Sequence, residues 1–314
     1  MVARDPWQGA RQHPDSRAVA RLLDLVPIAL LASACGNGAA EAPAVDRGPR
    51  PVRVLPANSS ALELVLPLVG RERIVAVPDQ ALSWSAIAGE REAWDDVPVM
   101  RSFDGETVLS LHPDLIVVHD YQDGAAREIA VRAGIQVLVL TYPTTWEDLI
   151  RAVGSVGEAL GEPEATEALC ARLEERRAAL RARARGDVAV LPYANYGSTG
   201  WTAGPGTTLD LAIELAGYRN AAAEAELPGH SEISLEQVLS IAPDVFLCSR
   251  GVRGVVAGAE FVRNEAILAD LESVQQDRIA VLGADLYSTA SHRVLDAAEE
   301  IARQVEGLLG DGDE

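Results

Sequence analysis

Lysine is absent from this sequence, so its 27 basic side chains are all arginine, against 47 acidic residues and a formal net charge of −20. Such an acidic surface repels phosphate backbones, which argues against nucleic-acid binding. Cysteine is also scarce. Cys35, Cys170 and Cys248 are too few for a scaffold held together by disulfides. Long hydrophobic runs are missing as well, since the nearest, Leu22–Ala34, has only about half the length of a membrane-spanning helix.

The first 35 residues have the features of an export signal. Arg11, Arg17 and Arg21 precede the short apolar run, which ends in small residues and Cys35. This ending resembles the bacterial lipobox, in which the cysteine thiol is acylated and becomes the new N-terminus. The resemblance predicts a lipid anchor at Cys35 and a flexible tether over residues 36–50, which are rich in Gly, Ala and Pro. The alternative is an ordinary N-terminal helix with an incidental cysteine.

From residue 51 onward, short runs rich in Val, Ile and Leu alternate with helical patterns such as Ser60–Leu68, Gly124–Ala133 and Leu209–Ala216. This alternation predicts an α/β fold with parallel, largely buried strands. The predicted strands are Pro51–Leu55, Arg73–Val77, Leu115–His119, Gln136–Leu140, Val188–Pro192, Val245–Cys248 and Arg278–Leu282.

Residues 145–185 contain no strand signal and predict a rigid helical connector. Trp146–Leu160 fits one helix, and Pro163 opens a second helix that we expect to run to about Arg185. The apolar stripe of the second helix is thin and consists of Leu169, Leu173 and Leu180. Much of this helix should therefore face solvent.

One segment of the chain is repeated. Glu106–Val117 and Glu236–Leu247 share the frame Glu-x-Val-Leu-Ser-x-x-Pro-Asp, and each copy continues into a predicted strand, a helix and a second strand. A repeat in equivalent topological places predicts two lobes that are built alike. Each lobe then offers one glutamate near the start of a helix.

The order and spacing of these segments resemble the periplasmic substrate-binding proteins whose two lobes are joined by one rigid helix. This family serves importers of ferric siderophores, haem and vitamin B12. Val54–Glu63 is similar to its first strand and turn, Gly70–Val77 to its second strand, and Gly204–Asn220 to the helix that opens its second lobe. The resemblance implies Rossmann-like lobes at 51–144 and 186–310, joined by residues 145–185, with a ligand cleft between them.

The resemblance also implies a function. The protein would be a monomeric lipoprotein of the periplasm or cell surface that has no catalytic activity and no resident cofactor. It would deliver a metal chelate (ferric siderophore, cobalamin or haem) to the permease and ATPase subunits of an ABC importer. One surface glutamate per lobe docks on the transmembrane subunits in this family, and Glu106 and Glu236 match those positions. The alternative is that both are solvated glutamates favoured by the helix dipole.

Aromatic residues near strand ends are the first candidate ligand contacts, because the chain has only 5 Trp, 6 Tyr and 3 Phe. Planar rings in a cleft suit a large, flat or ring-shaped ligand. The aromatic candidates are Trp84, Tyr121, Tyr196, Trp201 and Tyr287.

The polar candidates for the same cleft are Arg101, His230, Arg250 and Asp285. A guanidinium could pair with carboxylates or chelating oxygens of the ligand. Trp201 and Asp285 match contact positions of B12-binding relatives, but Thr289 stands where these have an arginine. His230, Tyr196 or Tyr121 could instead bind haem iron.

Other classes of function stay open. A direct zinc or manganese binder needs three or four converging His and carboxylate ligands, and no close pair of histidines shares a helix face. A two-domain α/β enzyme would have the same fold class. The sequence has, however, neither a Gly-x-Ser-x-Gly elbow nor a cofactor glycine fingerprint after a strand. A lipid-anchored sensor would share every feature of a transport protein.

Overall fold

The computed structural model describes residues 50–184, 186–195, 199–251 and 256–310. The predicted signal peptide, Cys35, the tether up to residue 49 and Tyr196 lie outside these residues. Among the residues described, no helix has both the length and the apolar character that crossing a membrane requires.

The first half of the fold alternates short strands with helices. Its elements are β1 (Val54–Pro56), α1 (Ser59–Val65), β2 (Val77–Pro78), α2 (Ala81–Trp84), β3 (Val99–Met100), α3 (Gly105–Leu111), β4 (Leu115–His119), α4 (Gly124–Arg132), β5 (Gln136–Leu140) and α5 (Trp146–Leu160). Short 3-10 helices lie at Arg71–Arg73 and Ala88–Trp94. Strands β1, β4 and β5 form a parallel sheet in the order β1-β4-β5, and β2 and β3 form a separate parallel pair.

A single helix, α6 (Pro163–Arg181), leads from the first half to the second. The elements of the second half are β6 (Ala189–Pro192), β7 (Ala194–Asn195), β8 (Gly200–Ala203), α7 (Thr208–Leu215), β9 (Arg219–Asn220), α8 (Ala221–Glu224), β10 (His230–Ile233), α9 (Leu235–Ile241), β11 (Val245–Arg250), α10 (Ala257–Asn264), α11 (Glu272–Gln275), β12 (Ile279–Gly283), α12 (Ala284–Tyr287) and α13 (Val294–Leu309). A 3-10 helix lies at Ala266–Leu268. The main sheet is parallel in the order β12-β11-β6-β9, and β10-β8-β7 is a small antiparallel sheet.

The α/β prediction and most of the predicted strands are confirmed, but the strand expected at Arg73–Val77 is wrong. Arg71–Arg73 is a 3-10 turn, and Ile74 makes only an isolated parallel bridge to Val54. The chain therefore runs beside β1 for one residue and then crosses to pair with β3 through Val77. The antiparallel strands β7, β8 and β10 were not predicted, because their short, polar and glycine-containing segments show no apolar run.

The connector differs in part from the prediction. The buried residues of α6 are Leu169, Leu173 and Leu180, as the thin apolar stripe predicts, but the helix ends at Arg181 rather than Arg185. Helix α5 packs against α1, β4 and β5, so it covers the sheet of the first half. The reason is its broad apolar face, which buries Trp146, Leu149, Val153, Val156 and Leu160. The chain therefore crosses from the first half to the second through α6, and the lobe boundaries at 144 and 185 stay a prediction.

The repeated frame produces the same local structure twice. The residue that follows each helix, His112 after α3 and Ala242 after α9, is in the left-handed conformation with φ of 46°. The aspartate that follows the proline then anchors the start of the neighbouring strand. A carboxylate oxygen of Asp114 accepts hydrogen bonds from the Val52 and Arg53 amides at 3.0 Å, and Asp244 accepts one from the Ala189 amide at 2.7 Å.

The main hydrophobic core extends through both halves. One continuous cluster of buried apolar side chains joins Leu62 of α1, Leu149 of α5, Leu173 of α6, Leu211 of α7 and Ile301 of α13. The two remaining cysteines are free thiols, with Cys170 partly buried in α6 and Cys248 buried in β11. Burial raises the pKa of the Cys248 thiol to about 12, so it stays protonated.

Candidate ligand-binding site

In the first half, three predicted ligand contacts follow the carboxyl ends of strands. Trp84 ends α2, the helix after β2, and its side chain is 47% exposed. Arg101 is exposed and directly follows β3. Tyr121 lies just beyond β4 and is 57% exposed. In α/β folds, ligands bind at this edge of the sheet, because the loops there converge around the strand ends.

Tyr142 belongs to the same edge and was not singled out in the sequence. It follows β5 as Tyr121 follows β4, so its position after a predicted strand was a usable signal. The two tyrosine rings are nearly parallel, with an interplanar angle of 7° and centroids 5.3 Å apart. Both stand near the buried ring of His119, at centroid distances of 5.8 Å from Tyr121 and 5.5 Å from Tyr142. We call these three residues the aromatic platform.

In the second half, Trp201 and His230 lie on the small antiparallel sheet. Trp201 of β8 pairs with Glu232 of β10, and His230 pairs with Ala203. Because side chains alternate along a strand, Trp201, His230 and Glu232 are on one face of this sheet. The opposite face carries Thr202 and Ile233, which are buried. The first face, where Trp201 is half-buried and His230 and Glu232 are exposed, is therefore the outer one.

The other candidates of the second half lie at the ends of β11 and β12. Arg250 is the exposed last residue of β11. Tyr287 ends α12 and packs partly against the main core. Asp285, also in α12, accepts a hydrogen bond from Nη2 of Arg293 at 3.0 Å, so this carboxylate already has a protein partner.

Arg293 is the centre of a polar network that joins the two halves. Its guanidinium donates to Glu63, Asp285 and Asp296, each at 3.0 Å. Glu63 belongs to α1, and its side chain is 3% exposed. Its other oxygen accepts hydrogen bonds from the hydroxyls of Thr289 and Ser291 at 3.1 and 2.6 Å. Sequence reasoning missed Arg293, because only the fold brings α1 next to it.

This network brings together segments that follow the two main parallel sheets in the chain. Helix α1 follows the carboxyl end of β1, and residues 289–293 follow β12 and α12. The Ala290 amide also donates to the Ser60 hydroxyl at 3.2 Å. The segments that leave the carboxyl ends of the two sheets are thus in contact. Six of the predicted contact residues lie at or follow carboxyl ends of parallel strands: Trp84, Arg101 and Tyr121 in the first half, and Arg250, Asp285 and Tyr287 in the second. Trp201 and His230 lie on the small antiparallel sheet instead.

A concavity elsewhere in the molecule is too small for a chelate. It has a volume of about 160 Å³ and lies among α5, α6 and α7, with Trp146, Arg177 and Leu211 in its lining. Sites for drug-sized ligands are usually about 300–1,000 Å³. Arg177 stacks on the Trp146 ring, 4.6 Å from its centroid, so the polar lining also has a structural role.

Comparison with known proteins identifies the family. A sequence profile described as periplasmic binding protein matches residues 58–286. The chain belongs to this family. A cobalamin-binding protein of Halobacterium salinarum is 27% identical over 197 residues, which are 62% of this chain and 53% of that protein. The chain therefore matches only about half the length of this relative.

Two solved structures are similar over nearly their whole length. The periplasmic heme-binding protein RhuT from Roseiflexus sp. RS-1 superposes with a TM-score of 0.70 at 25% identity, covering 82% of this chain and 99% of that one. An ABC-type Fe³⁺-hydroxamate transport system protein from Saccharomonospora viridis has a TM-score of 0.64 at 23% identity, covering 83% and 94%. At that level of identity the second likeness shows the fold alone. The proteins similar to this periplasmic binding protein thus include one described as heme-binding and one described as cobalamin-binding.

Proposed function

We propose that this periplasmic binding protein captures a metal chelate (ferric siderophore, cobalamin or haem) and delivers it to an ABC importer. The observation that carries the proposal is the junction of the two main sheets at their carboxyl ends. In the first half, the exposed rings of Trp84 and Tyr121 follow strand ends, and in the second half Trp201 lies on the outer face of the small antiparallel sheet. Arg101 and Arg250 add cations for ligand oxygens at the same ends. The heme- and cobalamin-binding relatives support a ligand of this class.

The same residues give little support to the rival functions. Among residues 50–310, with the gaps given above, no three His, Cys, Asp or Glu side chains are grouped as a metal ion would require. A chelate brings its metal already bound, so it needs rings and hydrogen-bonding groups rather than such a cluster. An enzyme would consume its ligand, whereas a binding protein releases it unchanged.

A binding panel tests this proposal. Purified protein would be heated with ferrioxamine B, ferric enterobactin, haemin or cyanocobalamin, and the unfolding temperature recorded. We expect one probe to stabilise the protein without being chemically altered, because a ligand that binds only the native state raises its stability. Stabilisation by Zn²⁺ or Mn²⁺ alone, or turnover of a probe, would contradict the proposal.

Docking on the importer is the second part of the proposal. Glu106 and Glu236 are exposed in the first turns of α3 and α9. Three residues further along each helix, on the same face, stands a leucine that is largely exposed, Leu109 at 40% and Leu239 at 38%. Each half thus presents one carboxylate beside one apolar side chain. A pair of like transmembrane subunits with basic docking sites would fit this duplicated surface, and opposite charges would speed the encounter.

The docking test separates uptake from ligand binding. The double variant Glu106→Ala/Glu236→Ala should lose uptake in cells and keep the ligand affinity of the wild type. Glu147 and Glu164 are exposed glutamates in the first turns of α5 and α6, so Glu147→Ala/Glu164→Ala is the matched control and should transport normally. If the Glu106/Glu236 variant lost ligand affinity as strongly as uptake, both glutamates would belong to the ligand site rather than to a docking surface.

The lipid anchor completes the proposal. We propose that Cys35 is acylated after removal of the preceding residues, so that the tether of residues 36–50 links the lipid to the folded body. In cells, Cys35→Ser should move the protein from the membrane fraction to the soluble fraction. Retention of the variant in the membrane would exclude this anchor.

A further inference from the structure

The aromatic platform has features that internal packing does not explain. Tyr121 and Tyr142 are 57% and 44% exposed, although they are stacked on each other and contact a buried residue. That residue, His119, is 1% exposed. Two rings held parallel at a strand-end edge thus form an apolar surface, about half of which is open to solvent.

The imidazole ring of His119, the buried member of the aromatic platform, is held in one orientation. The Asn58 side-chain oxygen accepts a hydrogen bond from the Ala61 amide at 2.8 Å, which fixes which end of the amide is the NH₂ group. That NH₂ group donates to Nδ1 of His119 at 2.9 Å and to the Gln122 side-chain oxygen at 2.6 Å. Nδ1 is therefore an acceptor, and the imidazole proton lies on Nε2.

The platform is also uncharged. Nε2 of His119 is buried and has no hydrogen-bond partner in the part of the chain described here. Burial lowers the pKa of His119 to about 4, so the ring is neutral at ordinary pH. Partial desolvation of the two hydroxyls raises the pKa of both Tyr121 and Tyr142, so both phenols stay protonated. The charge that acts on all three rings is the carboxylate of Asp120.

We propose that Tyr121 and Tyr142 are the stacking surface of the first half, against which an uncharged or cationic ring face of the captured chelate lies. This inference rests on the proposed function and narrows its ligand class. Neutral, parallel rings favour contact with a flat or ring-shaped surface. Asp120 disfavours an anionic face at this place, because like charges repel when solvent is removed between them. Anionic parts of the ligand would have to face Arg101 or Arg250 instead.

The test compares ring removal with hydroxyl removal. The probes are cyanocobalamin and ferrioxamine B, which present no anionic face, and ferric enterobactin, which is an anion. Affinity for each would be measured by quenching of the intrinsic fluorescence. Tyr121→Ala and Tyr142→Ala should weaken binding of the preferred probe by about tenfold or more, whereas Tyr121→Phe and Tyr142→Phe should stay within about threefold of the wild type. Val139→Ala, which shortens a 44% exposed side chain of β5, is the control and should change nothing.

Each outcome has a distinct meaning. Alanine variants that bind like the wild type would overturn the stacking surface while leaving the proposed function intact. Equal losses in the phenylalanine and alanine variants would overturn it too, because the hydroxyls rather than the rings would then bind the ligand. Preference of the wild type for ferric enterobactin would contradict the charge argument. A wild-type protein that binds none of these probes, nor haemin, would count against the proposed function itself.

Discussion

At the scale of single residues, His119 links the candidate site to the stability of the fold. Its ordinary pKa is 6.5, and burial lowers the pKa in the folded protein to about 4. The unfolded chain therefore binds a proton more readily than the native one. The stability that the neutral ring provides is fully present above pH 6.5 and is lost as the pH falls from 6.5 towards 4.

We expect His119→Gln to weaken the acid sensitivity of the protein. The free energy of unfolding of the wild type should fall between pH 7.5 and 4.5 by about 2–3 kcal/mol more than that of the variant. Urea denaturation at both pH values measures this difference. His292 has a pKa lowered to about 4 in the same way, but it is present in both proteins, so its contribution cancels. An identical pH dependence of the two proteins would refute the role given to His119.

At the scale of secondary-structure elements, the repeated frame is a joint between a helix and two strands. The proline after each left-handed cap stops the helix, and the aspartate then holds the start of the adjacent strand. The backbone completes the joint, since the Asp114 amide donates to the Arg53 carbonyl at 2.8 Å and the Asp244 amide to the Ala189 carbonyl at 3.0 Å. The frame recurs because both halves need this joint at the same topological position.

Asp114→Ala and Asp244→Ala should therefore have similar effects. Asp114→Ala leaves two backbone amides just before β1 without their acceptor, and Asp244→Ala leaves one at the start of β6. We expect each to lower the free energy of unfolding by about 1–2 kcal/mol. Chemical denaturation of each single variant measures it. Asp270→Ala, at an exposed position outside the frame, should be close to the wild type. If only one of the two frame variants were destabilised, the joints would not be equivalent.

At the scale of the whole molecule, the two halves are tied together at two places. Helix α6 and the shared core join them on one side, and the Glu63–Arg293 network joins them where the strand ends meet. A buried ion pair gives little net stability compared with apolar packing, but removing one partner leaves the other charge buried and unpaired. We therefore expect only small relative motion of the two halves when a ligand binds.

Arg293→Ala should lower the free energy of unfolding by about 3–5 kcal/mol, because Glu63 would stay buried without its cationic partner. Arg303→Ala is the matched control: Arg303 pairs with Glu300 on the same helix, and its side chain is 68% exposed. The control should unfold at nearly the temperature of the wild type. Calorimetry of both variants and of the wild type measures these differences in unfolding. An Arg293→Ala protein as stable as the control would show that the network does not hold the halves together.

Local pattern alone determined the α/β class, most strands, the thin stripe of α6 and the duplicated frame, because each depends on periodicity or on a few neighbouring residues. It also singled out Tyr121 as a candidate, because this residue follows a strong strand signal. Tertiary structure decided the rest. Trp201 and His230 share a face only because β8 and β10 pair, and Glu63 meets Arg293 only because the two sheets approach each other at their carboxyl ends. Contacts between residues this far apart in the chain leave no local pattern, since the fold as a whole brings them together.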